Sequence, residues 1–214
     1  MDKNRYIYII ISKTATKFGC VLRRVGHVRF NHASVALDAE LNEWYSFARK
    51  QHKTVLIGGL VKENIDRYTL RRYSNVQVVI FRIPVTERQY QRVRRMIMKI
   101  RQDKDYMYNL ISVLTFPLTK GFPIYKGYSC IEFTMLVLNL LGYPLDKPAY
   151  QYTPDELLDI LSNYRIFEGN LLDYKSPSVR DEDYFQPMTF SQVIQSGWNL
   201  LRLMKRSVVS YISS

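Results

Sequence analysis

The hydrophobic residues fall into short runs that polar, glycine-rich or proline-rich segments separate. Runs that are rich in β-branched and aromatic residues predict strands. The first run is apolar at every position and predicts a strand buried on both faces. The second and third are separated by a short polar turn, which predicts a β-hairpin. The predicted strands are residues 6–11, 32–37, 44–48, 76–83 and 165–170.

Glycine and proline mark interruptions in this pattern. Residues 55–61 contain Gly58 and Gly59, which are typical of a turn or a distorted strand. Pro84 directly follows the clearest strand, residues 76–83, and is expected to end it. A segment rich in Phe, Pro and Gly, residues 115–127, predicts a loop.

Helix signals appear at four places. Thr86 can cap a helix that runs to about residue 104 and carries an apolar face opposite a basic one. Residues 130–141 form an almost wholly apolar helix that Gly142 ends. Thr153 followed by Pro154 opens a third helix, and Phe190–Ile212 forms the last.

The character of the chain changes near residue 172. Residues 173–214 begin with a linker of Ser, Pro and alternating charges and end in a basic amphipathic helix that has no acidic residue. We therefore predict a single α+β domain at residues 1–172, followed by this extension. The apolar stripe of the last helix favours docking on the domain or self-association into a homodimer, and the alternative is an anionic membrane surface.

Composition narrows the class of protein. The chain has 214 residues, 47% of them hydrophobic, and a formal net charge of +12, which favours anionic partners. With two cysteines, no clustered metal-ligand spacing, no phosphate-binding loop and no recognised nucleic-acid motif, we expect no metal, no cofactor and no sequence-specific nucleic acid. The first apolar run is shorter than a signal-peptide core, so a cytoplasmic location is expected.

The segment around Cys130 carries the strongest chemical signal. Ser129 followed three residues later by Glu132 is a capping box that starts a helix. Cys130 then occupies the first helical position, where free amides and the helix dipole favour a thiolate. The alternative is an inert buried cysteine, which is the commoner state of a free thiol.

A nucleophilic cysteine needs a base, and the chain offers His27, His32 and His52. His32 begins a predicted strand, and the small residues Ser34 and Ala36 on its face are expected to leave room for a thiol and a substrate. The other two histidines lie in basic, polar segments typical of a surface.

Two motifs in this order resemble a known family. Asn31 to Leu37, followed much later by Ser129 to Phe133, is similar to the circularly permuted branch of the NlpC/P60 papain-like cysteine hydrolases, in which the histidine strand precedes the cysteine helix. Tyr108 with Asn109 ahead of the cysteine also fits that pattern. The resemblance covers roughly residues 5–170.

The resemblance implies an α+β fold in which the cysteine helix packs on an antiparallel sheet. It further implies that Cys130 is a nucleophile and His32 its general base, with the Cys130 amide as an oxyanion donor and Tyr108 as a polar neighbour. A third member would come from the strand after the histidine strand, for which Ser46 is the candidate and Glu43 the substitute. Ile131 departs from the family pattern, which has Ser directly after the cysteine.

Two classes of function follow from these features. The first is a thiol hydrolase or acyltransferase that cleaves an amide or ester bond of a peptide-like or acyl-ester substrate through an acyl-enzyme. The second is a catalytically silent papain-like adaptor that binds an anionic membrane or polymer.

Overall fold

The computed structural model describes residues 5–14, 16–177 and 180–212. These residues form a mixed α+β fold built on an antiparallel sheet of six strands, which confirms the predicted fold class at this level. The sheet strands are β1 (Arg5–Ser12), β2 (His32–Ala36), β3 (Trp44–Gln51), β4 (Thr54–Lys62), β5 (Gln77–Val85) and β8 (Arg165–Asn170), and β6 (Met107–Tyr108) and β7 (Gly127–Tyr128) pair separately.

Helices connect and cover these strands. In chain order they are α1 (Lys17–Gly26), α2 (Ile65–Thr69), α3 (Glu87–Gln102), α4 (Leu110–Thr119), α5 (Cys130–Leu140), α6 (Pro154–Ile160), α7 (Leu171–Tyr174), α8 (Glu182–Phe185) and α9 (Phe190–Ile212). Single 3₁₀ turns occur at Ala149–Gln151 and Ser162–Tyr164. Side chains of Thr86 and Thr153 cap α3 and α6, as their sequences predict.

The strand order β4-β3-β2-β1-β5-β8 places β1 in the interior of the sheet. Ile7, Ile9 and Ile11 pack into a large core with α3 and α5, whereas Tyr8 and Ile10 pack on the opposite face with α2 and α7. The prediction that this strand is buried on both faces is therefore confirmed. The predicted hairpin also forms, since β2 and β3 pair in antiparallel register.

Residues 55–61 belong to the paired strand β4, whose pairing with β3 shifts register near Gln51, so the alternative of a distorted strand is confirmed and the turn is excluded. Gly58 is needed for a different reason. A Cβ atom at this position would lie 2.6 Å from Cβ of Tyr108, which real structures do not tolerate. The glycine lets β6 cross close to the backbone of β4.

Two local predictions are wrong. β5 continues through Pro84 to Val85. Pro84 has no backbone N–H to donate, but the neighbouring strand β8 pairs with β5 only as far as Phe81, so no hydrogen bond between these strands is lost at Pro84. The first part of the predicted loop at residues 115–127 is helical and belongs to α4. The side chain of Asn109 caps the start of this helix, and Pro117 is tolerated because it lies close to the helix end.

The extension after residue 172 packs against the sheet. Tyr184 in α8 is buried, and its ring lies 4.1 Å from the guanidinium of Arg67. In α9, Leu203 is 1% exposed and belongs to the large core, and Arg202 pairs with Asp105 at 2.8 Å. Across the described residues, no helix is both long enough and apolar enough to cross a membrane.

We predict that Leu203→Ala lowers the free energy of unfolding by about 2–5 kcal/mol, because it leaves a cavity under α9. Leu201 on the same helix is 57% exposed, so Leu201→Ala should change stability by less than about 0.5 kcal/mol. Chemical denaturation of both variants measures the difference. Equal, small effects would show that α9 contributes nothing to the core.

Candidate active site

Cys130 is the first residue of α5, and it is positioned by the helix cap that the sequence predicts. The hydroxyl of Ser129 accepts from the backbone N–H of Glu132 at 3.1 Å, and the backbone N–H of Ser129 donates to the Glu132 carboxylate at 2.6 Å. The thiol is largely buried, at 6% exposure. Burial raises the pKa of Glu132 in this cap to about 7.

His32 is the first residue of β2 and lies beside the start of α5. The helix packs on the sheet face that carries Ala33 and Val35. The space near Ser34 and Ala36 on the other face is not free, because the indole of Trp44 fills it and donates to the Ser34 hydroxyl at 2.7 Å. The histidine therefore meets Cys130 at the end of the sheet, and the role predicted for these small residues is wrong.

The ring of His32 is held by a carboxylate that lies just after β4. Its Nε2 atom is 3.1 Å from Oε1 of Glu63, whose side chain is almost fully buried. The same carboxylate accepts from the hydroxyl of Ser46 and from Nε of Arg67, the latter at 2.8 Å. Since Nε2 faces Glu63, Nδ1 is the ring nitrogen left to face Cys130, whose charge raises the pKa of the imidazole.

The two residues considered as third member occupy other positions. Ser46 lies in the site but donates to Glu63, and it has no direct hydrogen bond with the His32 ring. Glu43 accepts from the hydroxyl of Tyr45 and pairs with Lys62 at 2.9 Å, away from His32. The residue that contacts the histidine is thus Glu63, which is neither of the two candidates.

Sequence reasoning missed Glu63 because it interpreted residues 55–61 as a turn or a distorted strand. Pairing these residues with β3 would have placed Val61 opposite Ser46. It would also have placed Glu63 two residues further along the chain, next to the histidine strand. The backbone N–H of Glu63 donates to the carbonyl of Trp44 at 2.7 Å, which continues that pairing. The available signal was the acidic residue after an apolar run.

The charges of this cluster favour an ion pair between thiol and imidazole. Burial alone would raise the pKa of Cys130. The pKa is instead lowered, chiefly by the charge of His32 and also by the backbone amides of Ala33 and Ile131. Burial would likewise lower the pKa of His32, yet Cys130 and Glu63 together raise it to about 10. The pKa of Glu63 falls to about 2 despite its burial, because Arg67 and His32 stabilise the carboxylate.

Other groups complete the surroundings of the sulfur. The first N–H groups of α5, those of Cys130 and Ile131, have no acceptor within the helix because of helix geometry. Tyr108 in β6 is buried near the thiol, and its burial together with the charge of Cys130 raises the pKa of its hydroxyl. Cys20 is exposed and lies against Arg23 in α1 instead of at this site.

Two cavities meet at this site, and Asn31 and Tyr108 line both. The first, which we call the polar cavity because charged side chains line it, is bordered by Glu63, Arg49 and Arg67. The second, which we call the apolar groove, opens beside Cys130 between α1 and α4. Within the described ranges, no group of three or more His, Cys, Asp or Glu side chains could hold a metal ion.

Comparison of the chain with protein-family models, with curated proteins and with solved structures found no match.

We predict that Cys130 reacts with iodoacetamide at a rate that rises less steeply with pH than that of a free thiol. A free thiol of pKa ~8.5 raises its thiolate fraction roughly 80-fold between about pH 6 and pH 8. Cys130 should show a much smaller rise, because His32 stabilises its thiolate. His32→Ala should restore the steep dependence, as measured by mass spectrometry of the labelled peptide. Equally steep profiles in both proteins would contradict the ion pair.

We predict that Glu63→Gln lowers the free energy of unfolding at neutral pH by about 3 kcal/mol or more, since it removes the buried carboxylate charge that Arg67 and His32 share. The matched variant Glu43→Gln, at a partly exposed carboxylate, should cost less than about 1 kcal/mol.

The pH dependence of this loss has a defined sign. The pKa of Glu63 is about 2 in the folded protein against an ordinary value of 4.5, so its stabilisation is complete above about pH 4.5 and is lost as the pH falls toward 2. The stability difference between wild type and Glu63→Gln should therefore shrink in that range. Urea unfolding at several pH values measures it, and a constant difference would contradict this assignment.

Proposed function

We propose that the protein is a thiol hydrolase or acyltransferase that cleaves an ester or amide bond through a Cys130–His32 pair. The observation that carries this proposal is the position of His32 between a helix-start cysteine and the buried carboxylate of Glu63. Such an arrangement activates the nucleophile and orients its base, which are the two requirements of covalent catalysis by cysteine.

The reaction has two steps in this proposal. The Cys130 thiolate attacks the substrate carbonyl, and the amide of Cys130 stabilises the oxyanion that forms. Protonated His32 gives its proton to the leaving alcohol or amine, which releases it and leaves an acyl thioester on Cys130. His32 then takes a proton from water or an acceptor alcohol, which attacks the thioester and regenerates the thiolate.

We assign Glu63 the orienting role in place of Ser46 or Glu43. Its contact with Nε2 selects the ring position that directs Nδ1 at the sulfur, and Ser46 and Arg67 hold the carboxylate in turn. Tyr108 borders the reacting sulfur. Ile131 stabilises the sulfur through its backbone amide. This contribution does not depend on the identity of the side chain.

The resemblance to circularly permuted NlpC/P60 hydrolases is part of the same proposal. It is supported by the motif order, by an antiparallel sheet that carries the histidine at a strand start, and by the packing of the cysteine helix on that sheet. A permuted papain-like core is therefore the fold family that we propose.

A second candidate function is a catalytically silent adaptor on an anionic surface. It is favoured by α9, which keeps Trp198, Leu201 and Met204 exposed beside basic residues. Under this alternative, Cys130 would form no covalent intermediate with any activated ester.

The test uses 4-nitrophenyl acetate, whose small acyl group needs no extended binding site. We predict nitrophenol release with an acetyl group on Cys130, detected by intact mass. Cys130→Ala should abolish both signals, and His32→Ala should reduce the rate by about 10²–10⁴-fold. Cys20→Ala serves as the control and should match the wild type. Release that survives Cys130→Ala would refute the proposal.

A further inference from the structure

We infer that the polar cavity is a subsite for an anionic group, a carboxylate or a phosphate, carried by the alcohol or amine that leaves the substrate. This inference rests on the proposed function and adds the chemical class of the leaving group. Three observations carry it. The cavity borders the proposed acid, its lining has an excess of positive charge, and one guanidinium in it lacks a counter-charge.

The polar cavity lies on the side of the site where the leaving group is protonated. His32 lines this cavity, whereas Cys130 lines the apolar groove instead. In the proposed reaction His32 gives its proton to the departing oxygen or nitrogen, so this atom lies within hydrogen-bond reach of the ring. The rest of the leaving group then extends into the space that borders His32.

The charged side chains of the cavity leave an excess of positive charge. Among the described residues that line it, two arginines, Arg49 and Arg67, face the single carboxylate of Glu63. That carboxylate already contacts His32 and Arg67. Arg67 has a second partner in Asp181 at 3.5 Å. Both carboxylates are therefore engaged by groups other than Arg49.

The guanidinium of Arg49 is held in place but is not neutralised. Its Nε atom donates to the hydroxyl of Tyr184 at 2.9 Å, and its Nη1 atom donates to the carbonyl oxygen of His52 at 2.9 Å. Both acceptors are neutral. Its Nη2 atom is buried and has no hydrogen-bond partner among the described residues. A buried N–H group without an acceptor costs free energy, which a ligand that accepts from it would recover.

A carboxylate or a phosphate meets both requirements of Arg49. It accepts from the spare N–H and supplies the counter-charge, and such a hydrogen bond between ions is roughly twice as strong as one between neutral groups. A neutral hydroxyl would accept without neutralising the charge, and a cation would be repelled. The anion is therefore the ligand that the cavity favours.

The subsite leaves the chemistry of the proposed reaction unchanged. The Cys130 sulfur forms a bond with the acyl carbon as the C–O or C–N bond breaks, and the leaving atom takes the proton of His32. The anionic group stays paired with Arg49 until the leaving molecule dissociates. Water then cleaves the thioester, so the sum is a hydrolysis that consumes no oxidant or cofactor.

The first experiment compares acetate esters whose leaving groups differ in charge. 4-Acetoxybenzoate releases an anionic phenol, 4-acetoxybenzamide a neutral phenol of similar shape, and 4-acetoxyphenyl phosphate a phosphate-bearing phenol. We expect the kcat/KM ratio of an anionic ester to the amide to be about 10–100-fold higher in the wild type than in Arg49→Met. The anion with the larger ratio identifies the source of the charge. A ratio that Arg49→Met does not lower would overturn the inference and leave the proposed function standing.

Matched variants separate the subsite from the overall charge of the protein. Arg88→Met removes one positive charge from an exposed position on α3 outside the cavity and should leave the ratio unchanged. Arg49→Lys keeps the charge but loses the planar fork of donors, so it should retain only part of the ratio. An equal loss in Arg88→Met and Arg49→Met would contradict binding at this subsite.

Binding to the Cys130→Ser protein separates the inference from the proposed function. Calorimetry measures the affinity for 4-hydroxybenzoate, 4-hydroxyphenyl phosphate and 4-hydroxybenzamide, none of which requires turnover. We expect one of the anions to bind at least about tenfold more tightly than the amide, and Arg49→Met in the same background to remove the difference.

The two levels of failure give different results. Selective anion binding by a protein that hydrolyses no acetate ester would refute the proposed function and support the subsite. Equal affinity of the Cys130→Ser protein for the anions and the amide would overturn the inference. This comparison needs no substitution at Arg49, so it decides the question even if the Arg49 variants do not fold.

Discussion

The buried carboxylate of Glu63 is the constraint on which the site depends. A charge in this position is tolerated because three groups neutralise or bond it: His32, Ser46 and Arg67. These contacts join β2, β3 and α2 at one end of the sheet. The carboxylate thereby connects the stability of this region to the orientation of a single imidazole ring.

The cysteine is positioned by a separate and local device. The capping box of Ser129 and Glu132 starts α5, and the apolar body of that helix anchors it against the sheet. Histidine and cysteine therefore sit on different rigid elements, each at its first residue. Their juxtaposition follows from the packing of α5 on β2, and the close crossing of β6 at Gly58 adds Tyr108 to the same point.

The surroundings of the pair divide into an apolar and a polar side. Apolar side chains from α1 and α4 line one side, whereas Arg49, Arg67 and Glu63 line the other. This division arises because α4 continues through residues 115–119, where the Phe, Pro and Gly content predicted a loop. The helix supplies a continuous apolar wall that an irregular loop would not.

The sequence alone determined the features that depend on neighbouring residues: the helix caps at Thr86, Ser129 and Thr153, the doubly buried strand β1, and the hairpin of β2 and β3. It also singled out Cys130 and His32, because a capped helix start and a strand start are local signals. Glu63, the extent of β4 and the walls of the groove were decided only by tertiary structure. Each depends on contacts between residues far apart in the chain, which no local period or propensity encodes.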